Sequence, residues 1–376
     1  MHENDFGEDI RKPNNWLDKD IQSVGGSISD TLQKAKAIYY YVKNNIKCTN
    51  YKTMWLSQPL KDIYKSRSGS IADVNILLTT MLRHENIKAD PVILSTRSNG
   101  WAHAIYPLLS NYNYVICKVN IGNNNYYLDA SQPEIGFNHL PSELYNGDGM
   151  QIGDYPVLTT ISPDVLDESK TTHILLFNDE KKPGKWDGNF ESQLGYNESG
   201  KVRETLKKKG NTEYEKSITK SDFDFSEFEY DNKDSLEKPL TIKCKIAAGT
   251  ENNPDIIYFN PMITEAVTAN PFKSAVREYP VEMPYRIDQK YFLSIEIPKG
   301  YMVDEMPGPT KALLNNDEGI FEYNISKNDN NEIDMICHIK LDKANFAPED
   351  YDALRNFYGL IVKKENEQIV FKKINK

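Results

Sequence analysis

Ser68-Gly69-Ser70-Ile71-Ala72-Asp73-Val74-Asn75-Ile76-Leu77-Leu78 opens a segment that runs on through Met81-Leu82-Arg83 to Ile87-Lys88-Ala89-Asp90-Pro91-Val92. Val74, Leu77, Leu78, Met81 and Leu82 recur at helical spacing and form an apolar stripe broad enough for a buried helix. Ser70 stands where an N-cap side chain accepts from the first turn, and Asp73 places negative charge at the positive end of the helix dipole. The helix is therefore expected to start near Gly69-Ser70 and to end by Asn86. Asn75, on the same helix, is read as tying down neighbouring backbone.

Upstream, Leu32, Ala35, Tyr39, Val42 and Ile46 share one face of a helix over 29–47, with Ser29 or Asp30 as its cap. Downstream, Pro91–Ser95, 112–121 and Asn125–Asp129 read as strands. Gly122-Asn123-Asn124 closes the last two into a hairpin, and a loop with Trp101 and His103 joins the first two. Helices followed by an antiparallel sheet make an α+β plan. Beyond about 165 helical stripes thin out, and strands such as Tyr291–Ile297 recur between Asn, Asp, Gly and Pro clusters, the pattern of a β-sandwich. Tyr351, Leu354, Phe357 and Tyr358 suggest a short helix before a closing strand over 366–373. The charged stretch over 203–236 is taken as a boundary. The expected organisation is a core over 1–160, an intermediate β segment over 161–235 and a β-sandwich domain over 236–376.

The 376 residues suffice for two or three domains, and a hydrophobic share of 39% spread along the chain excludes disorder. The net charge is −10, with lysines interleaved among acids, so nucleic acid is not an expected partner. No apolar run reaches the roughly 18 residues of a membrane helix, and the first residues do not form a signal peptide. Cys48, Cys117, Cys244 and Cys337 lie far apart, and His84, His139, His173 and His338 lack ligand spacing, so neither a metal nor a cofactor is expected. Cys117, Cys244 and Cys337 fall on apolar strand faces, where a thiol packs as a small hydrophobe.

The ordered set of Gly69-Ser70-Ile71-Ala72-Asp73, the buried helix, Tyr112-Asn113-Tyr114-Val115-Ile116 and Leu128-Asp129-Ala130 resembles the core of transglutaminase-like proteins over roughly 28–150, a papain-like α+β fold. In that family a Cys opens the central helix, a His on one strand takes its proton, and an Asp on the next orients the His. Here the three positions read Ile71, Tyr114 and Asp129. Isoleucine has no lone pair and a phenol is a poor base at neutral pH, so the resemblance implies a non-catalytic member. It would act as a binding or scaffold module for a peptide, protein or glycan, in a relict cleft with Ser70, Asp73, Trp101, His103 and Asn113 as candidate residues. Trp101, Tyr106, Tyr112 and Tyr114 would line or fill that groove. The rival reading is a peptidase or acyltransferase whose displaced nucleophile is Ser70 or Cys48, with His103 as base.

Asn270-Pro271-Phe272, Arg277–Val281 and Ile297-Pro298-Lys299-Gly300-Tyr301 look like the β-domain that follows this core in exported proteins of Bacteroidetes-type bacteria. That likeness implies an extracytoplasmic location, in the periplasm or at the cell surface. It also implies an upstream domain and signal outside this sequence.

Overall fold

The computed structural model describes residues 6–102, 108–219, 222–249 and 254–374, and the chain divides into two compact units, Met1–Pro163 and Asp164–Lys376.

In the first unit the helix Thr31–Asn45 is capped by Asp30, whose carboxylate accepts from the Gln33 amide at 2.8 Å. Its Tyr39 hydroxyl reaches the Ile135 carbonyl at 2.9 Å. The strands β1 (Lys47–Asn50) and β2 (Ser68–Ser70) pair in parallel and deliver the chain into the central helix, Ile71–His84. Every residue of that helix from Ile71 to Leu82 is buried, which is why its apolar stripe is so wide. Ser70 and Asp73 form a reciprocal capping box: Asp73 N–H donates to Ser70 Oγ at 3.2 Å, and Ser70 N–H donates to Asp73 Oδ2 at 2.6 Å. Gly69 is required by close approach, because a Cβ there would lie 2.6 Å from that of Asp73.

The helix packs on β3 (Lys88–Leu94) and β4 (Tyr114–Ile121). These belong to a five-stranded antiparallel sheet completed by β5 (Asn124–Leu128), β6 (Gly147–Ile152) and β7 (Pro156–Ile161), in the order β5-β4-β3-β6-β7. The hairpin between β4 and β5 has Gly122 at φ +59°, the left-handed turn geometry that glycine favours.

The second unit is built on one eight-stranded sheet. Its strands are β8 (Asp167–Asn178), β9 (Lys185–Gln193), β10 (Phe223–Asp231), β11 (Thr241–Gly249), β14 (Arg286–Glu296), β16 (Thr310–Leu314), β17 (Gly319–Lys327) and β18 (Glu332–Leu341). A three-stranded sheet carries β12 (Ile256–Phe259), β15 (Tyr301–Glu305) and β20 (Ile369–Lys373), and β13 (Val281–Glu282) pairs with β19 (Asn345–Phe346). One hydrophobic cluster joins the large sheet (Ile174, Trp186, Leu293, Phe321), the small sheet (Phe259, Phe371) and the helix Tyr351–Glu365 (Leu354, Ile361).

Three expectations are corrected here. The large sheet runs β10-β11-β9-β8-β14-β18-β17-β16, so β11, placed after the expected boundary at 235, lies between β9 and β10, placed before it. The expected segments 161–235 and 236–376 therefore merge, from Asp164 onward, into a single strand-rich unit. The charged stretch contains two helices, Tyr196–Lys209 and Asn211–Ile218, and then β10. Lys207, Lys208 and Lys209 sit in the last turn of the first helix, while the buried Arg203 fixes that helix by donating to the carbonyls of Asn232, Lys233 and Lys238 at 3.0, 3.1 and 2.6 Å. The C-terminal helix is also longer than the short one expected, at 15 residues.

Ile246 on β11 faces this core. Ile246→Asp would bury an unpaired carboxylate at a cost of about 3 kcal/mol or more. Hydrogen exchange should then rise together in 167–193 and 286–341. A loss of protection confined to 236–376 would restore the separate domain.

Candidate functional site

The start of the central helix gathers the residues singled out by the sequence. Ile71 is its first residue and has no exposed surface. One turn on, the Asn75 amide makes three buried hydrogen bonds. It donates to the Val115 carbonyl and to Asp129 Oδ1, each at 2.9 Å, and accepts from the Ala130 N–H at 2.9 Å. The hairpin register brings Tyr114 to Asp129, and the Tyr114 hydroxyl donates to Asp129 Oδ2 at 2.7 Å.

Asp129 is fully saturated. Oδ1 also accepts from the Ser131 hydroxyl at 2.6 Å and from the Ser131 N–H at 3.0 Å. Gln132 donates its amide to the Tyr114 oxygen at 3.0 Å, so the phenol gives its proton to one neighbour and its lone pair to another. Burial, reinforced by the charge of Asp129, pushes the Tyr114 hydroxyl well above its ordinary value. An imidazole could turn one nitrogen to the carboxylate and the other to a nucleophile, whereas the single phenol oxygen is already occupied on both counts.

The rival nucleophiles have other roles. Ser70 Oγ is buried and accepts from Asp73 N–H in the capping box. Asp73 holds a second segment as well, accepting from the Ser57 N–H at 2.8 Å and from the Ser57 hydroxyl at 2.6 Å. Cys48 on β1 lies opposite Gly69, and its thiol donates to the Asn50 carbonyl at 3.6 Å. Burial, with the charges of Asp129 and Asp73 in support, pushes that thiol up to about 11; the neighbouring Tyr51 hydroxyl is pushed up to about 12, again chiefly by burial. His103 and Tyr106 lie outside the described residues. Trp101 is more than half exposed. Asn113 exchanges hydrogen bonds with Thr96, accepting from its N–H at 2.9 Å and donating to its hydroxyl at 3.0 Å.

Asn113 and Tyr112 also line a hollow of about 350 Å³, with Met54, Trp55 and Leu109 around it and Lys52 at its edge. The Tyr112 hydroxyl is buried and, among the described residues, has no hydrogen-bond partner. Met54, Trp55, Ser57 and Leu109 are not marked by the sequence pattern, since they sit in irregular segments with no periodicity. Ser131 and Gln132 could have been found from their position two and three residues after Asp129. Among the described residues no group of three or more His, Cys, Asp or Glu side chains is placed to hold a metal ion.

Comparison with known proteins bears on both halves of the chain. Residues 21–127 match the family model of the transglutaminase-like superfamily. The first unit contains a transglutaminase-like core. Residues 255–371 match a second model, DUF3858, described as a domain of unknown function with solved structure. The chain is similar in fold to the crystal structure of a proposed protease from Parabacteroides distasonis, with a TM-score of 0.54 and 13% identity. That alignment covers 97% of this chain and 57% of the other, so the chain spans a little over half the length of that protein. No curated protein sequence matches the chain.

Two outcomes test this geometry. Asn75→Ala removes three partners from buried groups and should destabilise the first unit by about 3–5 kcal/mol in urea titration, several times the roughly 1 kcal/mol of a lone hydrogen bond. Alkylation of Cys48, followed by peptide mapping, should show a midpoint near pH 11. Because the thiolate is the reacting form and its pKa is raised, labelling at pH 7–8 should be slow; rapid labelling there would mark an activated thiol.

Proposed function

We propose that this transglutaminase-like core is a non-catalytic recognition module that holds a peptide in the hollow beside its relict active-site position. The observation that carries the reading is the Tyr114 hydroxyl donating to Asp129 at 2.7 Å, with the aliphatic Ile71 at the helix start where the family has its nucleophile. A saturated carboxylate and phenol have no role as orienter and base. Cys48, protonated at neutral pH, is a weak nucleophile, and Ser70 is engaged as a helix cap. Peptide is the chosen ligand class because the hollow offers Met54, Trp55 and Leu109 to an apolar side chain, and because the similar Parabacteroides protein is described as a proposed protease. An extracytoplasmic setting belongs to the same proposal, and cell fractionation of the full-length protein checks it.

The experiment pairs an activity screen with a binding screen. The wild-type chain should neither cleave nor transamidate casein, and should resist peptidyl epoxide labelling. A peptide array rich in apolar side chains should give ligands whose affinity falls about tenfold or more with Trp55→Ala. Turnover that disappears with Cys48→Ala or Ser70→Ala would establish the displaced-nucleophile enzyme instead.

A further inference from the structure

A cavity of about 610 Å³ in the second unit lies where the ends of β9, β10 and β11 meet the edge strand β12. Two glycines shape it. Gly249, at φ +103°, closes β11 so tightly against the 179–185 turn that a Cβ would sit 1.9 Å from the Gly184 carbonyl oxygen; Gly184 itself has φ +89°. The tight turn lets aromatic side chains form the floor: Trp186 and Phe259 have ring centroids 5.4 Å apart, and Phe223 meets Phe259 edge-on at 6.3 Å.

The walls are polar. Among the described residues, the carboxylates of Asp187 and Asp224, the hydroxyl of Tyr258 and the side-chain amide of Gln368 line the cavity without a hydrogen bond or ion pair inside the protein. Asn260 uses its oxygen on the Met262 N–H at 2.8 Å, which fixes the amide and leaves its N–H₂ group to donate. Tyr258 is 64% exposed on the edge strand, so its ring face is available to a ligand. Lys182 and Lys185 line the same space, so the carboxylates do not make a one-sign field for a cation.

We infer that this cavity is a carbohydrate-binding site, which takes a sugar ring against the Tyr258 face and reads its hydroxyls with Asp187, Asp224, Asn260 and Gln368. The chemistry of the ligand follows from that of the wall. A sugar hydroxyl is both donor and acceptor, so neighbouring hydroxyls need carboxylates to accept from them and amides to donate to them, and the wall supplies both. The C–H face of a pyranose is apolar and packs on an aromatic ring whose rim remains wet. A cationic peptide would use the carboxylates but leave the amides and the Tyr258 ring idle. A cavity of this size holds one or two sugar rings, in the range of small-ligand sites. The site is separate from the hollow of the transglutaminase-like core and does not depend on how that hollow is used.

The test applies the full chain to an array of hexose, N-acetylhexosamine and uronic-acid oligosaccharides, and hits are titrated calorimetrically. Binding by at least one series is expected, with little dependence on salt. Tyr258→Ala and Gln368→Ala should each weaken it about tenfold or more with unchanged melting temperature, since both side chains are exposed. Using two variants separates recognition from any local distortion in one of them. An array without hits overturns the inference, as does saccharide binding indifferent to both variants. Salt-sensitive binding of hexalysine in place of saccharide would make the cavity a cation site and overturn it equally.

Discussion

The first unit depends on one neutral amide. Asn75 joins the central helix to β4 through the Val115 carbonyl, and to the segment after β5 through Asp129 and the Ala130 N–H. All three bonds are buried, where an unmet donor or acceptor is costly, so the helix can rotate or slide only by breaking all of them together. The Ser70 and Asp73 capping box fixes the same helix at its first turn and, through Ser57, fixes the chain that leads to it. None of these contacts involves the side chain of Ile71. The framework that would hold a catalytic triad is therefore independent of whether a triad is present, which is how a fold outlives a particular chemistry.

Local signals in the sequence gave the elements of this unit, and the reasons are local as well. The central helix was readable because its cap, its acidic third residue and its apolar stripe all lie within fifteen residues. The approach of Tyr114 to Asp129 was readable because a two-residue turn sets the hairpin register. Contacts that span sequence were not readable. Nothing in the spacing of Ser57, Met54 or Cys48 indicates that β1 would return beside Gly69 and carry them to the helix start. In the second unit the charged stretch over 203–236 looked like a linker because its lysines and acids mask the buried Val202, Arg203 and Leu206. The insertion of β11 between β9 and β10 is a pairing choice that alternation alone cannot specify, since any strand with one apolar face would fit.

The two candidate sites differ in how their polar groups are satisfied. Around Asp129 the oxygens have partners, the neighbouring phenol is buried, and the group is a closed network that adds rigidity. Around Tyr258 the carboxylates and amides sit at the surface with capacity to spare, so water occupies them until something better shaped arrives. A satisfied cluster in a family's catalytic position signals retained architecture. An unsatisfied one over an aromatic floor signals recognition.

The strand pair at the middle of the large sheet sets the order of events when the chain is made. β8 and β14 run in parallel in a sheet whose other pairings are antiparallel, and residues brought together across them, such as Asp167 and Arg286, are 119 positions apart. At a synthesis rate of roughly 5–20 residues per second, β8 and β9 wait on the order of ten seconds for β14 to emerge. During that interval β8 presents an open edge with Leu175 and Phe177 on one face and Ile174 and Leu176 on the other. A nascent chain in that state is a template for any neighbouring strand. The polar residues that alternate through β9 and the lysine-rich helix that follows it are thus the nascent chain's first defence against aggregation, in place well before the core they border is closed.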